Sequence, residues 1–309
     1  MIKDSAQLRA HLENLLPGLR IDRPVDTPSG QRVVYFCSFA EVPENPAIPK
    51  FSEFGDVVLK VSNGNYASSV ARLEQEIEIL GFLNSPHYPT LHYFDSYSED
   101  TVTEEKLDPK LFVTIEERID GPSLSQCKDK FSQEATVVDL IIKLMDALCL
   151  LWEHPQKLIH RDIKPENILF RRDGTLVVID LGIARIESSD GITLTGNDFG
   201  PCSPAYASPE QAKNEKSIIS FKSDCFAIGT LAHELLTGSN PYKSAADQPF
   251  EDILFNVVQT ELPTLLELGV SQQPFSDFVA IITQKQPYKR FRTVDILKSE
   301  LDKLRLHYK

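Results

Sequence analysis

His160-Arg161-Asp162-Ile163-Lys164-Pro165-Glu166-Asn167, running on through Ile168-Leu169-Phe170 and followed after a short hydrophobic run by Asp180-Leu181-Gly182, decides the reading of this 309-residue chain. A base, a cation and two oxygen-bearing side chains recur there at a spacing that suits phosphoryl transfer from a magnesium nucleotide, where positioning and charge neutralisation are most of the work. Asp162 is placed to orient an attacking hydroxyl and accept its proton. Lys164, two residues on along an extended loop, lies on the same side and would face the transferring phosphate. Asn167 and Asp180 offer hard oxygen ligands of the kind magnesium prefers. Taken singly, each residue reads as a turn former, a cap or a core histidine; taken together their roles are complementary.

Ile168 to Phe170, the turn Arg171-Arg172-Asp173-Gly174, and Leu176 to Ile179 read as strand, turn and strand. Such a hairpin holds Asn167 and Asp180 near each other. Further upstream, Asp56 to Ser62 reads as a strand in which Lys60 is enclosed by apolar residues. Lys60 either faces water at an outward pleat position or reaches a nucleotide's phosphates. Arg72 to Leu83 reads as a helix with Leu73, Ile77 and Leu80 on its apolar face, and it carries three carboxylates, Glu74, Glu76 and Glu78.

From about Ile21 onward the chain resembles the eukaryotic-like (Hanks-type) serine/threonine protein kinases. The resemblance rests on His160 to Asn167 with Asp180-Leu181-Gly182, on Lys60, and on Ser203-Pro204-Ala205-Tyr206-Ala207-Ser208-Pro209-Glu210. It implies an α+β, two-lobed kinase fold: an N-terminal extension at 1–20 with a short amphipathic helix, a small antiparallel-sheet lobe with one main helix at 21–117, and a larger, mainly helical lobe at 118–309, with ATP in the cleft. It selects Glu76, sixteen residues after Lys60, as the helix glutamate that pairs with the strand lysine. It assigns catalysis to Asp162, Lys164, Lys60 and Glu76, and metal binding to Asn167 and Asp180. ATP contacts fall to Lys60, Gly30, Thr27 and Val33, and to the backbone of Glu117 and Ile119. Structural roles go to His160 and Leu181, which would stack with Leu91 and Leu80, to Asp224 as the brace of the catalytic loop, and to a buried Glu210–Arg290 pair.

The implied activity is transfer of the γ-phosphate of ATP, with magnesium or alternatively manganese, to serine or threonine hydroxyls of proteins. Lys164 after the catalytic aspartate, and Ser203 where threonine is usual, favour those acceptors over tyrosine. Arg161 before Asp162 suggests control by phosphorylation of the activation segment, with Ser188, Ser189, Thr193, Thr195 and Ser203 as regulatory positions. Two departures stand out. Of the three glycines of the phosphate-covering loop only Gly30 remains, Val25 and Thr27 standing at the others, which keeps a pseudokinase scaffold as the alternative; a small-molecule kinase ranks third. Glu116 puts a carboxylate where the family has an apolar residue, a departure that a shift of alignment would also produce.

Composition fits this reading. The content of 41% hydrophobic residues supports a sizeable core, and a net charge of −13 speaks against nucleic acid or an anionic membrane as partner. No stretch approaches the roughly 20 apolar residues that cross a bilayer. Five cysteines without paired spacing point to a reducing cytoplasm rather than to zinc or disulfides. The acidic segment Asp95 to Asp108 reads as a solvated loop, and Ser5 to Leu16 as a helix outside the catalytic core. With no sensor domain recognisable, regulation is expected from the activation segment, from the N-terminal helix or from a separate protein. The oligomeric state is not encoded in any pattern.

Overall fold

The computed structural model describes residues 2–25, 32–43, 49–63, 67–181, 185–186 and 203–308, which form two compact units, Met1–Ile119 and Asp120–Lys309. The first runs α1 (Ala6–Leu15), β1 (Leu19–Val25), β2 (Arg32–Phe39), β3 (Val57–Asn63), α2 (Ala67–Phe82), β4 (Leu91–Glu99) and β5 (Lys106–Glu117). Its strands pair antiparallel in the order β1-β2-β3-β5-β4.

Strand alternation gives this sheet two distinct faces. On one, Val33, Tyr35, Cys37, Val57, Leu59, Val61, Leu111, Val113 and Ile115 form a core together with Leu8, Leu12, Leu15 and Leu16 of α1 and the residue after it. The helix at Ser5–Leu16 therefore does not stand apart, because its leucine stripe is part of this core. Burying each leucine stabilises by about 1.5–3 kcal/mol. Ser5 caps α1, its Oγ accepting from the Leu8 amide at 3.1 Å. The opposite face carries Val34, Lys60 and Thr114 in one row across β2, β3 and β5.

The acidic segment is a hairpin rather than a loop, β4 and β5 with a turn between them. Asp100 is fully buried there: it accepts from the amides of Val102 and Thr103 at 2.9 Å each and from Asn14 of α1 at 3.0 Å, and lies 2.7 Å from His11 Nδ1. A side chain that satisfies two turn amides and ties down a helix cannot point into solvent. The strands were masked in the sequence by carboxylates that occupy their outward positions.

The second unit comprises α3 (Glu134–Trp152), β6 (Leu158–Ile159), β7 (Ile168–Phe170), β8 (Leu176–Val178), β9 (Arg185–Ile186), α4 (Pro209–Ala212), α5 (Phe221–Thr237), α6 (Phe250–Gln259), α7 (Gln273–Ile282) and α8 (Val294–His307). In α3, twelve of the 19 residues from Glu134 to Trp152 are buried, and α5 is buried without a break from Ser223 to Leu235. Helices apolar on nearly every side are core helices, and these two carry the unit. β7 and β8 form the expected hairpin, with Ile168 opposite Val178 and Phe170 opposite Leu176. Among the described residues no helix is long and apolar enough to cross a membrane.

At one point two backbones approach so closely that only glycine fits. A Cβ on Gly121 would lie 1.8 Å from the carbonyl oxygen of Phe170 at the end of β7, and the next residue, Pro122, accepts the Phe170 amide at 3.0 Å. Gly121→Ala is expected to lower the unfolding free energy by about 1–3 kcal/mol, the usual range for overpacking, because the obstacle is backbone and cannot rotate away. Urea denaturation checks this; a variant as stable as the native chain would contradict the close approach.

Candidate active site

In the first unit the catalytic candidates gather on the sheet face that α1 leaves uncovered. Lys60 Nζ donates to Glu76 Oε1 of α2 at 2.7 Å, and Arg32 Nη1 of β2 donates to Glu76 Oε2 at 3.0 Å. Glu76 is buried while Glu74 and Glu78 are exposed, as helical periodicity requires of residues two apart. Lys60 has a second acid beside it: its Nζ lies 2.7 Å from Glu116 Oε1 on β5. Glu116 stands two residues beyond Thr114, the register partner of Lys60, so its side chain shares the face. That contact is an ion pair by distance without hydrogen-bond geometry, and Glu116 Oε1 and Thr114 Oγ1 are both buried with no hydrogen-bond partner.

Burial pushes both carboxyls up, and their neighbours then separate them. Glu76, with Arg32 and Lys60 both upon it, ends well below the ordinary glutamate range. Glu116, with Lys60 shared and the charge of Glu76 against it, ends above.

Val33 does not join this group. Its side chain packs in the α1-side core, and Val34 is the residue opposite Lys60, because β2 turns alternate side chains to opposite faces. Glu117 donates its amide to the Thr90 carbonyl at 2.8 Å, and Ile119 is buried at the end of the unit. Thr27 and Gly30 lie outside the described residues, as do Ser188, Ser189, Thr193 and Thr195.

In the second unit Asp162 is the centre of a compact network. Its Oδ2 accepts from Lys164 Nζ at 2.7 Å and from Asn167 Nδ2 at 3.2 Å, and its Oδ1 from the Ser203 amide at 3.1 Å. Lys164 Nζ also donates to Ser203 Oγ at 2.9 Å. Burial pushes the Asp162 carboxyl up, but the charge and hydrogen bond of Lys164, with Ser203, outweigh it and hold Asp162 below its usual range. The loop is braced from below by Asp224 at the start of α5. Asp224 Oδ1 accepts from the Arg161 amide at 2.8 Å; Oδ2 accepts from the His160 amide at 3.0 Å and from Trp152 Nε1 at 2.9 Å. His160 Nε2 lies 3.1 Å from the Ile179 carbonyl and Nδ1 3.3 Å from the Asp162 amide, an arrangement that puts the ring proton on Nε2.

Arg161 and Asp180 both hold left-handed backbone, at φ 71° and 65°. Leu181 is buried. Sequence reading passes over two residues, Arg32 on Glu76 and Gln211, whose Nε2 donates to the Arg161 carbonyl at 2.8 Å. Ser208-Pro209-Glu210-Gln211 is a capping box, a signal present in the sequence. Below it Glu210 and Arg290 pair in parallel, Oε1 to Nη1 at 2.7 Å and Oε2 to Nη2 at 3.0 Å, and Ser223 Oγ adds a third bond to Glu210 at 2.7 Å.

The donor set suits a divalent cation of the magnesium type. Asn167 spends its Nδ2 on the Asp162 carbonyl and carboxylate, at 2.9 and 3.2 Å, which leaves its amide oxygen as the group for a metal. The Ile179 amide donates to the Asn167 carbonyl at 2.9 Å and ties the Asp180 end of the hairpin to it. Among the described residues no three His, Cys, Asp or Glu side chains form a metal cage. Two protein oxygens supplemented by phosphate and water are what magnesium with a nucleotide uses.

A five-stranded antiparallel sheet with one long helix, followed by a helical unit, is the two-lobed architecture of the protein kinases. The protein kinase domain family matches residues 55–301, and the chain belongs to it, in its eukaryotic-like serine/threonine branch. It is similar to the probable serine/threonine-protein kinase PknB of Lactococcus lactis, 26% identical over 251 residues that are 79% of this chain and 37% of the relative. It is similar also to serine/threonine-protein kinase PrkC of Bacillus subtilis, 27% over 250 residues (80% and 36%), and to PknD of Mycobacterium tuberculosis, 28% over 239 residues (76% and 33%). The chain thus spans about a third of the length of these curated relatives.

The Glu210–Arg290 pair makes a direct test of the frame. Glu210→Ala leaves a fully buried guanidinium without its counter-charge and is expected to lower stability by about 3–5 kcal/mol. Chemical denaturation measures it, and a loss under about 1 kcal/mol would show the pair to be dispensable.

Proposed function

We propose that the chain is an ATP-dependent serine/threonine protein kinase that transfers the γ-phosphate to hydroxyls of protein substrates. The observation that carries this is the Asp162, Lys164, Ser203 and Asn167 network, in which a partly buried carboxylate is kept ionised by a lysine that also reaches a hydroxyl. Asp162 orients the acceptor hydroxyl and takes its proton as the bond to phosphorus forms; a carboxylate held below its ordinary range is ionised at neutral pH and ready for that role. Lys164 neutralises charge on the transferring group. Lys60, held by Glu76, engages the nucleotide's phosphates, and the Glu117 carbonyl and Ile119 amide meet the base. Asn167 and Asp180 hold magnesium, or manganese in its stead, which when bound shields charge on the phosphates. Lys60, Asp162 and Asp180 are all present, so the chain has the residues whose loss would mark a scaffold.

Asp162→Ala is expected to lower the rate of transfer by about 100-fold or more, the contribution of a positioned base, and Lys60→Ala to abolish detectable label. Incubation of the purified protein with labelled ATP, with and without a chelator, measures this. Equal label in the native chain and both variants, label that survives chelation, or none in any sample, refutes the reading.

Arg161 next to the base suits pairing with a phosphate group, so we assign autophosphorylation to residues between Ile183 and Tyr206, with Ser188, Ser189, Thr193 and Thr195 as acceptors. Phosphopeptide mapping is expected to find modification in that stretch; modification confined to other regions overturns the assignment.

A further inference from the structure

Lys60 is shared by two carboxylates, and only one of them holds it well. Glu76 is fixed by hydrogen bonds from both Lys60 and Arg32. Glu116 has the ion-pair distance of 2.7 Å alone, and its Oε1 is buried without a hydrogen-bond partner beside Thr114 Oγ1, in the same condition on the same face. The charged side chains that face Glu116 among the described residues are Lys60 of β3, Glu76 of α2 and Arg32 of β2. From β4 apolar Leu91 stands opposite it, and His92 stacks on Phe54 instead. Of the two carboxylates at Lys60, Glu116 is therefore the less firmly held.

We infer that Glu116 is a positioning residue of the nucleotide site: it holds Lys60 while no phosphate is present, and it yields Lys60 to the incoming phosphates by taking up a proton. This rests on the reading of Lys60 as a phosphate ligand. The reasoning is electrostatic. Phosphate oxygens that draw Lys60 towards them compete with its acids, and the hydrogen-bonded Glu76 is the better held. The displaced Glu116 then lies buried, without its cation and close to a polyanion, where a carboxylate is unstable and a neutral carboxylic acid is favoured. As an acid it can donate to Thr114 Oγ1 or to a phosphate oxygen, which meets the need left open in the unliganded cluster. The free protein already leans this way, since burial and Glu76 raise Glu116 above the ordinary glutamate range.

The sign follows from linkage: a group that binds its proton more tightly in the complex makes affinity fall as pH rises, by at most about tenfold per pH unit for one proton. Glu116→Gln removes the titration while keeping the shape. Calorimetric titration of the full chain with a non-hydrolysable ATP analogue and magnesium, in two buffers of different ionisation enthalpy between pH 7 and 9, reads proton uptake directly. The native chain is expected to take up close to one proton in part of this range and to weaken about threefold or more per pH unit there. Glu116→Gln is expected to bind the analogue more tightly at pH 9, with no proton uptake. Binding by the native chain without uptake, a measurement that needs no variant, overturns the inference alone, as does uptake that persists in folded Glu116→Gln. Failure of the native chain to bind the analogue at all overturns the kinase reading and this inference with it.

Discussion

Asp224 is the constraint on which the second unit depends. One carboxylate, 1% exposed, receives the amides of His160 and Arg161 and the indole N–H of Trp152. Burial pushes Asp224 up, so three donors are needed to keep it useful as an acceptor. What they hold in return is a loop that the backbone would not adopt alone: Arg161 sits at φ 71°, a conformation that costs a side-chain-bearing residue about 1–3 kcal/mol. The strain continues through the His160 ring, whose Nε2–H reaches the Ile179 carbonyl just before Asp180, itself at φ 65°. The backbone on either side of Asp162 and Asp180 is thus tied to a single brace from α5 through the His160 ring and the amides of His160 and Arg161.

The paired charges of the Glu210–Arg290 frame and those around Lys164 and Lys60 differ in how they are matched. Glu210 and Arg290 are matched one to one, in parallel, with Ser223 and the Gln284 and Lys222 carbonyls taking up the remaining capacity. Such a pair is inert and serves as frame. Lys164 and Lys60 are each divided, Lys164 between the carboxylate of Asp162 and the hydroxyl of Ser203, and Lys60 between two glutamates. A cation with two competing partners can exchange one for a third at small net change in energy. The divided lysines are thus the ones open to exchange, and the matched pair is the fixed one.

Legibility in the sequence followed locality. His160 to Asp180 could be read because its hairpin is a short-range structure and because its residue types are complementary. Asp224, Glu210 and Arg290 are separated from that loop by long stretches of chain, and only resemblance supplied them. Glu76 could not be chosen over Glu74 and Glu78 by composition, and helical phase relative to the sheet decides it. Val33 was misassigned for the same reason in a strand: neighbours in sequence point to opposite faces, and only the pairing with β3 shows that Val34 stands opposite Lys60. β4 and the first half of β5 stayed hidden behind outward carboxylates, and Asp100 looked solvated because no local signal announces a carboxylate buried by a helix 86 residues earlier in the chain. Arg32 and Gln211 were overlooked since each acts across the tertiary structure, although the Ser208 to Gln211 capping box was there to be read.

Glu116 shows how register turns an apparent misfit into a constraint. Val58 pairs with Glu116, Leu59 with Ile115 and Lys60 with Thr114. A slip of one residue that turned Glu116 away from Lys60 would carry Ile115 and Val113, both fully buried in the α1-side core, onto the polar face and send Thr114 and Glu116 into a cluster of leucines and valines. The hydrophobic pattern of β5 therefore forces Glu116 to the lysine, whatever the identity of the residue expected there. Arg32 and Lys60 both reach Glu76, and Glu116 adds a second carboxylate beside Lys60.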